Sequence, residues 1–153
     1  MTDPISSFYL AFQQLDPESM ISQYDSKVVF SDPAFGTLNG DDVKDMWRML
    51  CHRSRDLEIT FSNVELTGDR GSARWQARYT FGPTGRKVRN DIVASFHLKE
   101  GKIITHHDEF DLRRWARQAM GWKGYLIGGT SFFRKRLHRQ TGKLLSNFQK
   151  GEH

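Results

Sequence analysis

The hydrophobic period of the chain changes once, near Asp56, and that change limits the folds open to it. Before Asp56 apolar residues recur at helical spacing; after it they alternate. Phe8, Leu10, Ala11, Phe12 and Leu15 mark one face of a first helix. It is entered through Asp3-Pro4, a capping acid followed by the residue suited to a first turn. Asp16-Pro17-Glu18 restarts a short second helix carrying Met20, Ile21 and Tyr24. Residues 27–31 predict a strand, stopped by Asp32-Pro33 and Phe35-Gly36. Asn39-Gly40-Asp41 opens a third helix, with Val43, Met46, Trp47, Leu50 and Cys51 at a period near 3.6.

Beyond Asp56, Leu57, Ile59 and Phe61 alternate with Glu58, Thr60 and Ser62. Residues 68–71 are a turn. Ala73, Trp75, Ala77, Tyr79 and Phe81 then alternate with polar residues, as in a half-buried antiparallel strand. Residues 82–85 turn again, 88–98 form a strand, Glu100-Gly101-Lys102 is a tight hairpin, and 103–112 form the last strand. Three helices followed by a four-strand meander predict an α+β fold. The helices pack on one face of a curved sheet.

The 153 residues suit one domain. The lone Cys51 rules out an internal disulfide and a multi-cysteine metal site, so the expected compartment is a reducing cytoplasm. No apolar run reaches the roughly 20 residues of a membrane span, and residues 1–15 lack the layout of a signal peptide. The net charge of +5 is uneven. Residues 113–153 hold ten Lys/Arg and one acid, whereas 1–112 hold thirteen Lys/Arg and seventeen acids.

Several motifs carry a resemblance. Tyr24 is followed eight residues later by Asp32-Pro33, then Gly36, Gly40 and a helix. Gly85-Arg86-Lys87 and the strand around Phe96 follow in order, and His107-Asp108-Glu109-Phe110-Asp111 ends the last strand. Over residues 4–115 this resembles the nuclear transport factor 2-like superfamily. That superfamily includes ketosteroid isomerases, SnoaL-like polyketide cyclases and limonene epoxide hydrolases. Phe110-Asp111-Leu112-Arg113-Arg114-Trp115 with Ala119-Met120-Gly121 resembles a bacterial subgroup of no assigned activity. The resemblance implies a cone-shaped curved antiparallel or mixed sheet with the N-terminal helices in its concave face. Residues 1–115 would form that domain, and 116–153 a basic helical extension of the same unit. It also implies a homodimer through the sheet.

The resemblance sets Asp32 at the isomerase proton-abstracting position. A carboxylate in an apolar cavity has a raised pKa and can serve as a base; alone, Asp-Pro is also an ordinary turn. The isomerase oxyanion donors are missing, since Phe8 and Ala94 stand in their places, and Tyr9 is expected to point elsewhere. His106, Asp108 and Phe110 share one strand face, which the resemblance sets inside the cone. His106 and Asp108 could then act as acid and base or orient a water. His107, Glu109 and Asp111 face outward. Arg78-Tyr79-Thr80 stands where epoxide hydrolases carry Arg-x-Asp, and Thr80 cannot be a general base. No metal is expected, because the adjacent His106 and His107 face opposite sides. Cys51 reads as core.

Phe8, Phe35, Trp47, Trp75, Tyr79, Phe96 and Phe110 are the candidate walls of a hydrophobic ligand pocket. Residues 121–129 read as a flexible link. Phe133, Leu137, Leu144, Leu145 and Phe148 then form an apolar stripe among basic residues, weakened by Gly142. The tail is expected to pack as a lid or dimer element, ahead of membrane-surface contact, with nucleic acid last. The expected function is acid–base chemistry on a hydrophobic small molecule, without a cofactor. The alternative is a non-catalytic ligand-binding or dimerisation module.

Overall fold

Asp3 accepts a 2.9 Å hydrogen bond from the Ser6 amide and Pro4 fills the first turn, so α1 runs Pro4–Gln13. The computed structural model describes residues 3–151. Asp16 caps α2 (Pro17–Ile21) in the same way. Tyr24 is not helical. It opens β1 (Tyr24–Asp32), which starts three residues before the sequence pattern suggests. Its spacing from Met20 and Ile21 imitates a helix because the chain turns between them while all three side chains stay inward or half-buried.

A short strand that periodicity does not reveal, β2 (Gly36–Asn39), pairs antiparallel with β1, Asp32 opposite Gly36. Gly36 has φ +72°, a conformation that favours glycine. Then follow α3 (Asp41–Arg53), β3 (Glu58–Thr67), β4 (Arg70–Phe81), β5 (Arg86–Lys99) and β6 (Lys102–Glu109). The six strands form one sheet in the order β2-β1-β6-β5-β4-β3. Every pairing is antiparallel except β1 with β6, which is parallel. Ile5, Phe8, Tyr9 and Phe12 of α1 and Met46 and Trp47 of α3 fill the concave face against Val28, Phe30, Trp75 and Phe96. This is the expected α+β cone.

The last strand stops at Glu109, short of Leu112, because Asp111 accepts from the Arg114 amide at 3.0 Å and caps α4 (Leu112–Met120). Residues 121–129 are not a loose link: most of them form α5 (Trp122–Ile127). A Cβ on Gly124 would overlap the Ala116 carbonyl oxygen, and one on Gly128 would sit 2.7 Å from the Ala116 Cβ. These glycines let α5 lie backbone to backbone against α4. α6 (Ser131–Gln149) continues unbroken through Gly142. A mid-helix glycine costs about 1 kcal/mol, and Leu145 and Phe148, packed on the main core, offset it. α6 lies against α3 and over the β1–β2 turn. There His138 Nε2 donates to the Pro33 carbonyl at 2.8 Å and Thr141 Oγ1 donates to the Ala34 carbonyl at 3.0 Å.

Candidate functional site

The parallel pairing sets Phe30 beside His106 and Ser31 beside His107. With a side-chain period of two, Phe30, Asp32, His106 and Asp108 share the concave face. On the other side Asp108 stands opposite Ala94 of β5. Asp32, His106 and Asp108 thus come from neighbouring strands onto one surface.

His106 is 1% exposed and Asp108 2%. Both belong to a continuous buried chain of hydrogen bonds. Trp47 Nε1 donates to the Tyr24 hydroxyl at 2.8 Å, and Tyr24 lies 2.8 Å from His106 Nδ1. His106 Nε2 lies 2.9 Å from Asp108 Oδ1, which also accepts from Trp75 Nε1 at 3.3 Å. The order of donors fixes the tautomer. The Tyr24 oxygen already accepts from an indole, so its proton goes to Nδ1. In the arrangement that satisfies every group, Nδ1 accepts and the Nε2–H donates to the Asp108 carboxylate. Around this chain pack the rings of Phe96, Phe30 and Phe8, at 4.4, 5.1 and 5.4 Å from the imidazole centre. Trp47 stacks on it at 6.2 Å.

The Tyr9 ring is fully buried against Phe61, Trp75 and Phe96. Among the described residues its hydroxyl is the buried side-chain polar atom without a hydrogen-bond partner. Burial holds its pKa well above the usual phenol value, and the negative charge of Asp108 pushes it the same way. Burial likewise raises Tyr24.

Asp32 is half-buried at the end of β1. Its Oδ1 accepts from the Ala34 and Phe35 amides at 2.9 and 2.6 Å, which is the turn the Asp-Pro sequence predicts. Both bonds use the same oxygen. Burial nevertheless raises the carboxyl to about 7, against the pull of the Phe35 amide and with help from the charge of Asp108. Turn and poised carboxyl coexist in one side chain.

The expected wall residues divide. Phe8, Trp47, Trp75 and Phe96 are buried around the His106–Asp108 pair, and Phe35 is half-buried at the Asp32 turn. Tyr79 faces the tail, its hydroxyl accepting from Trp115 Nε1 at 2.7 Å, and half-buried Phe110 packs between body and tail. His107 is exposed, between Ser31 Oγ at 2.6 Å and Glu109 Oε2 at 2.9 Å. Arg78 is also exposed, and Thr80 Oγ1 donates to Asp56 at 2.6 Å. Cys51 is core, its thiol pushed up to about 11 by burial. No group of three or more His, Cys, Asp or Glu placed to hold a metal ion occurs among the described residues.

The SnoaL-like domain family model matches residues 5–106. The chain belongs to the SnoaL-like domain family. Solved structures agree in fold with this SnoaL-like chain. An NTF2-like protein of unknown function from Burkholderia pseudomallei is 20% identical with TM-score 0.67, covering 76% of this chain and 95% of its own. A Mycobacterium tuberculosis epoxide hydrolase of the LEH-like type is 18% identical with TM-score 0.63, covering 82% and 88%. TerC, co-crystallised with polyporic acid, is 22% identical with TM-score 0.61, covering 71% and 88%. At these identities the likeness is one of fold. By sequence, no curated protein matches the chain.

Sequence reasoning finds Asp32, His106 and Asp108 but treats Trp47 and Trp75 only as apolar wall and Tyr24 as helical. A buried indole N–H or phenol O–H finds a partner as a rule. The buried acid and imidazole two residues apart on one strand are the signal that such partners are needed.

Proposed function

We propose that this SnoaL-like chain is an acid–base enzyme acting on a small apolar molecule, with side chains alone as its chemistry. Asp32 is the proton-transfer group, and the buried His106–Asp108 pair behind it sets its environment. The carrying observation is the convergence of three acid–base groups on one concave sheet face, of which Asp32 alone is half-open. The neighbouring Asp108 and the burial of Asp32 favour its neutral form, so it can exchange a proton near neutral pH. The catalytic assignment of His106 and Asp108 narrows accordingly: both are sealed from solvent, and they serve as positioning residues. Phe35 at the Asp32 turn, with the rings around His106, supplies the apolar surface for the ligand. Fold relatives that hydrolyse an epoxide or were crystallised with polyporic acid fit a small-molecule role.

The test has two arms. NMR titration of the Asp32 carboxyl carbon is expected to give a midpoint near 7. Deuterium uptake by small cyclic ketones in heavy water is expected with the natural chain and lost in Asp32→Asn. A midpoint near 4, or equal uptake by the variant, overturns the reading. One observation favours the non-catalytic alternative: Phe8, Trp47 and Phe96 already fill the space around His106. That reading predicts apolar ligand binding that Asp32→Asn leaves intact, without turnover.

A further inference from the structure

We propose that the α4–α5 corner docks on an anionic membrane surface. Trp122 and Leu126 would enter the interface, and Arg86 and Arg117 would face lipid phosphates. Five of the exposed large apolar side chains lie within eleven positions: Trp122, Tyr125, Leu126, Ile127 and Phe132. Trp122 is 69% exposed, Leu126 61% and Phe132 65%. The four on α5 are exposed for a local reason. α5 turns its glycines to α4, so its large residues have no inner face to occupy.

Two adjoining clefts sit at this corner. One, of about 500 Å³, is lined by Arg86, Lys87, Arg114, Arg117 and Gln118; the other, of about 250 Å³, by Arg117, Trp122 and Tyr125. Arg117 belongs to both, so cationic and apolar surfaces are continuous. Neither cleft is lined by Asp32, His106 or Asp108, so the corner is separate from the site above. Asp91 pairs with Arg114 at 3.5 Å and Asp56 with Lys87 at 3.6 Å. Residues 113–151 contain no acid.

With Arg114 and Lys87 so paired, Arg86 and Arg117 carry the uncompensated charge of the corner among the described residues, and that charge calls for an anionic partner. The aliphatic Leu126 and Ile127 choose between anionic partners: acyl chains receive them, and a nucleic acid backbone does not. Tryptophan and tyrosine suit the headgroup boundary, with arginine stems along it. Among the described residues no helix is long and apolar enough to cross a membrane, and the contact proposed is a surface one.

The full chain should float with phosphatidylcholine vesicles containing phosphatidylglycerol and not with pure phosphatidylcholine, and the Trp122 emission should shift to the blue. Arg117→Glu should weaken binding roughly twenty-five-fold, from two units of charge at about fivefold each. The double variant Trp122→Ala, Leu126→Ala should weaken it at least roughly tenfold with an unchanged thermal melt. Three results would overturn the proposal. One is no flotation with the anionic vesicles. Another is tighter binding to a 20-base-pair duplex than to vesicles. The third is a change of oligomeric state in the double variant without lipid, which would assign the patch to a second copy.

Discussion

Replacing Tyr24 by Phe removes one oxygen and cuts the buried hydrogen-bond chain at its middle. The Trp47 indole N–H loses its acceptor and His106 Nδ1 loses its donor. Both groups are buried, at 2% and 1% exposure, and the cavity left by one oxygen is too small for a water with several partners. Each buried group left unsatisfied costs about 1–3 kcal/mol. The loss should therefore be about 2–6 kcal/mol, equivalent to a fall in Tm of roughly 4–24 °C at this chain length. The ring itself stays, so packing against Phe8 is retained. Tyr9→Phe is the matched control. It removes a buried hydroxyl that has no partner, so it should be neutral or stabilising by about 1 kcal/mol. Urea unfolding followed by fluorescence and circular dichroism measures both. If Tyr24→Phe lies within about 0.5 kcal/mol of the natural chain, or Tyr9→Phe loses as much as Tyr24→Phe, the hydrogen-bonded chain from Trp47 through Tyr24 to His106 is wrong.

Asp32 gives a pH signature. Its carboxyl holds a proton in the folded chain up to about 7 but releases it near 3.8 when unfolded. Between those values the folded state binds more protons, so stability should fall as pH rises from about 4 to about 7 and then level off. Asp32→Asn should remove that slope, with a gain above pH 7 on the order of 4 kcal/mol; urea midpoints at each pH test this. Gly124→Ala forces a methyl onto the Ala116 carbonyl and should destabilise by about 1–3 kcal/mol. Gly142→Ala meets nothing within 4 Å and should stabilise by about 1 kcal/mol; paired thermal melts separate the two. Removing the α6 bonds to the β1–β2 turn with His138→Ala and Thr141→Ala should cost about 1–2 kcal/mol. It should also speed amide exchange in α6 ahead of β4 and β5.

Period-two alternation makes β3 through β6 legible, because each has one wet and one dry face. It also puts His106 and Asp108 together and turns His107 away. Tyr24 misleads because a residue that begins a strand just after a one-turn helix keeps helical spacing to it. β2 has four residues, too few for any period, and is defined only by its pairing with β1. α5 reads as a loop because its glycines are there for close approach to Ala116, a neighbour the sequence does not show. The hydrogen-bond chain is hidden for the same reason. Apart from the His106–Asp108 bond, which spans two positions, its bonds span 82, 33 and 23 positions, and only the folded sheet brings their ends together.

The single parallel pairing also orders events in time. β3 to β6 are joined by short turns and can zip from local contacts, leaving the edge of β6 bare. β1 is synthesised first, yet it can dock only after β6 exists, because Ser31 meets His107 across 76 positions. Until then a strand edge and a nascent imidazole–carboxylate pair stand open to solvent and to other chains. Insertion of β1 closes that edge, delivers Tyr24 to His106 and brings Asp32 beside Asp108 in one step. The candidate site and the parallel β1–β6 seam rest on the same residues, so a chain lacking that pairing would lack the site's geometry too.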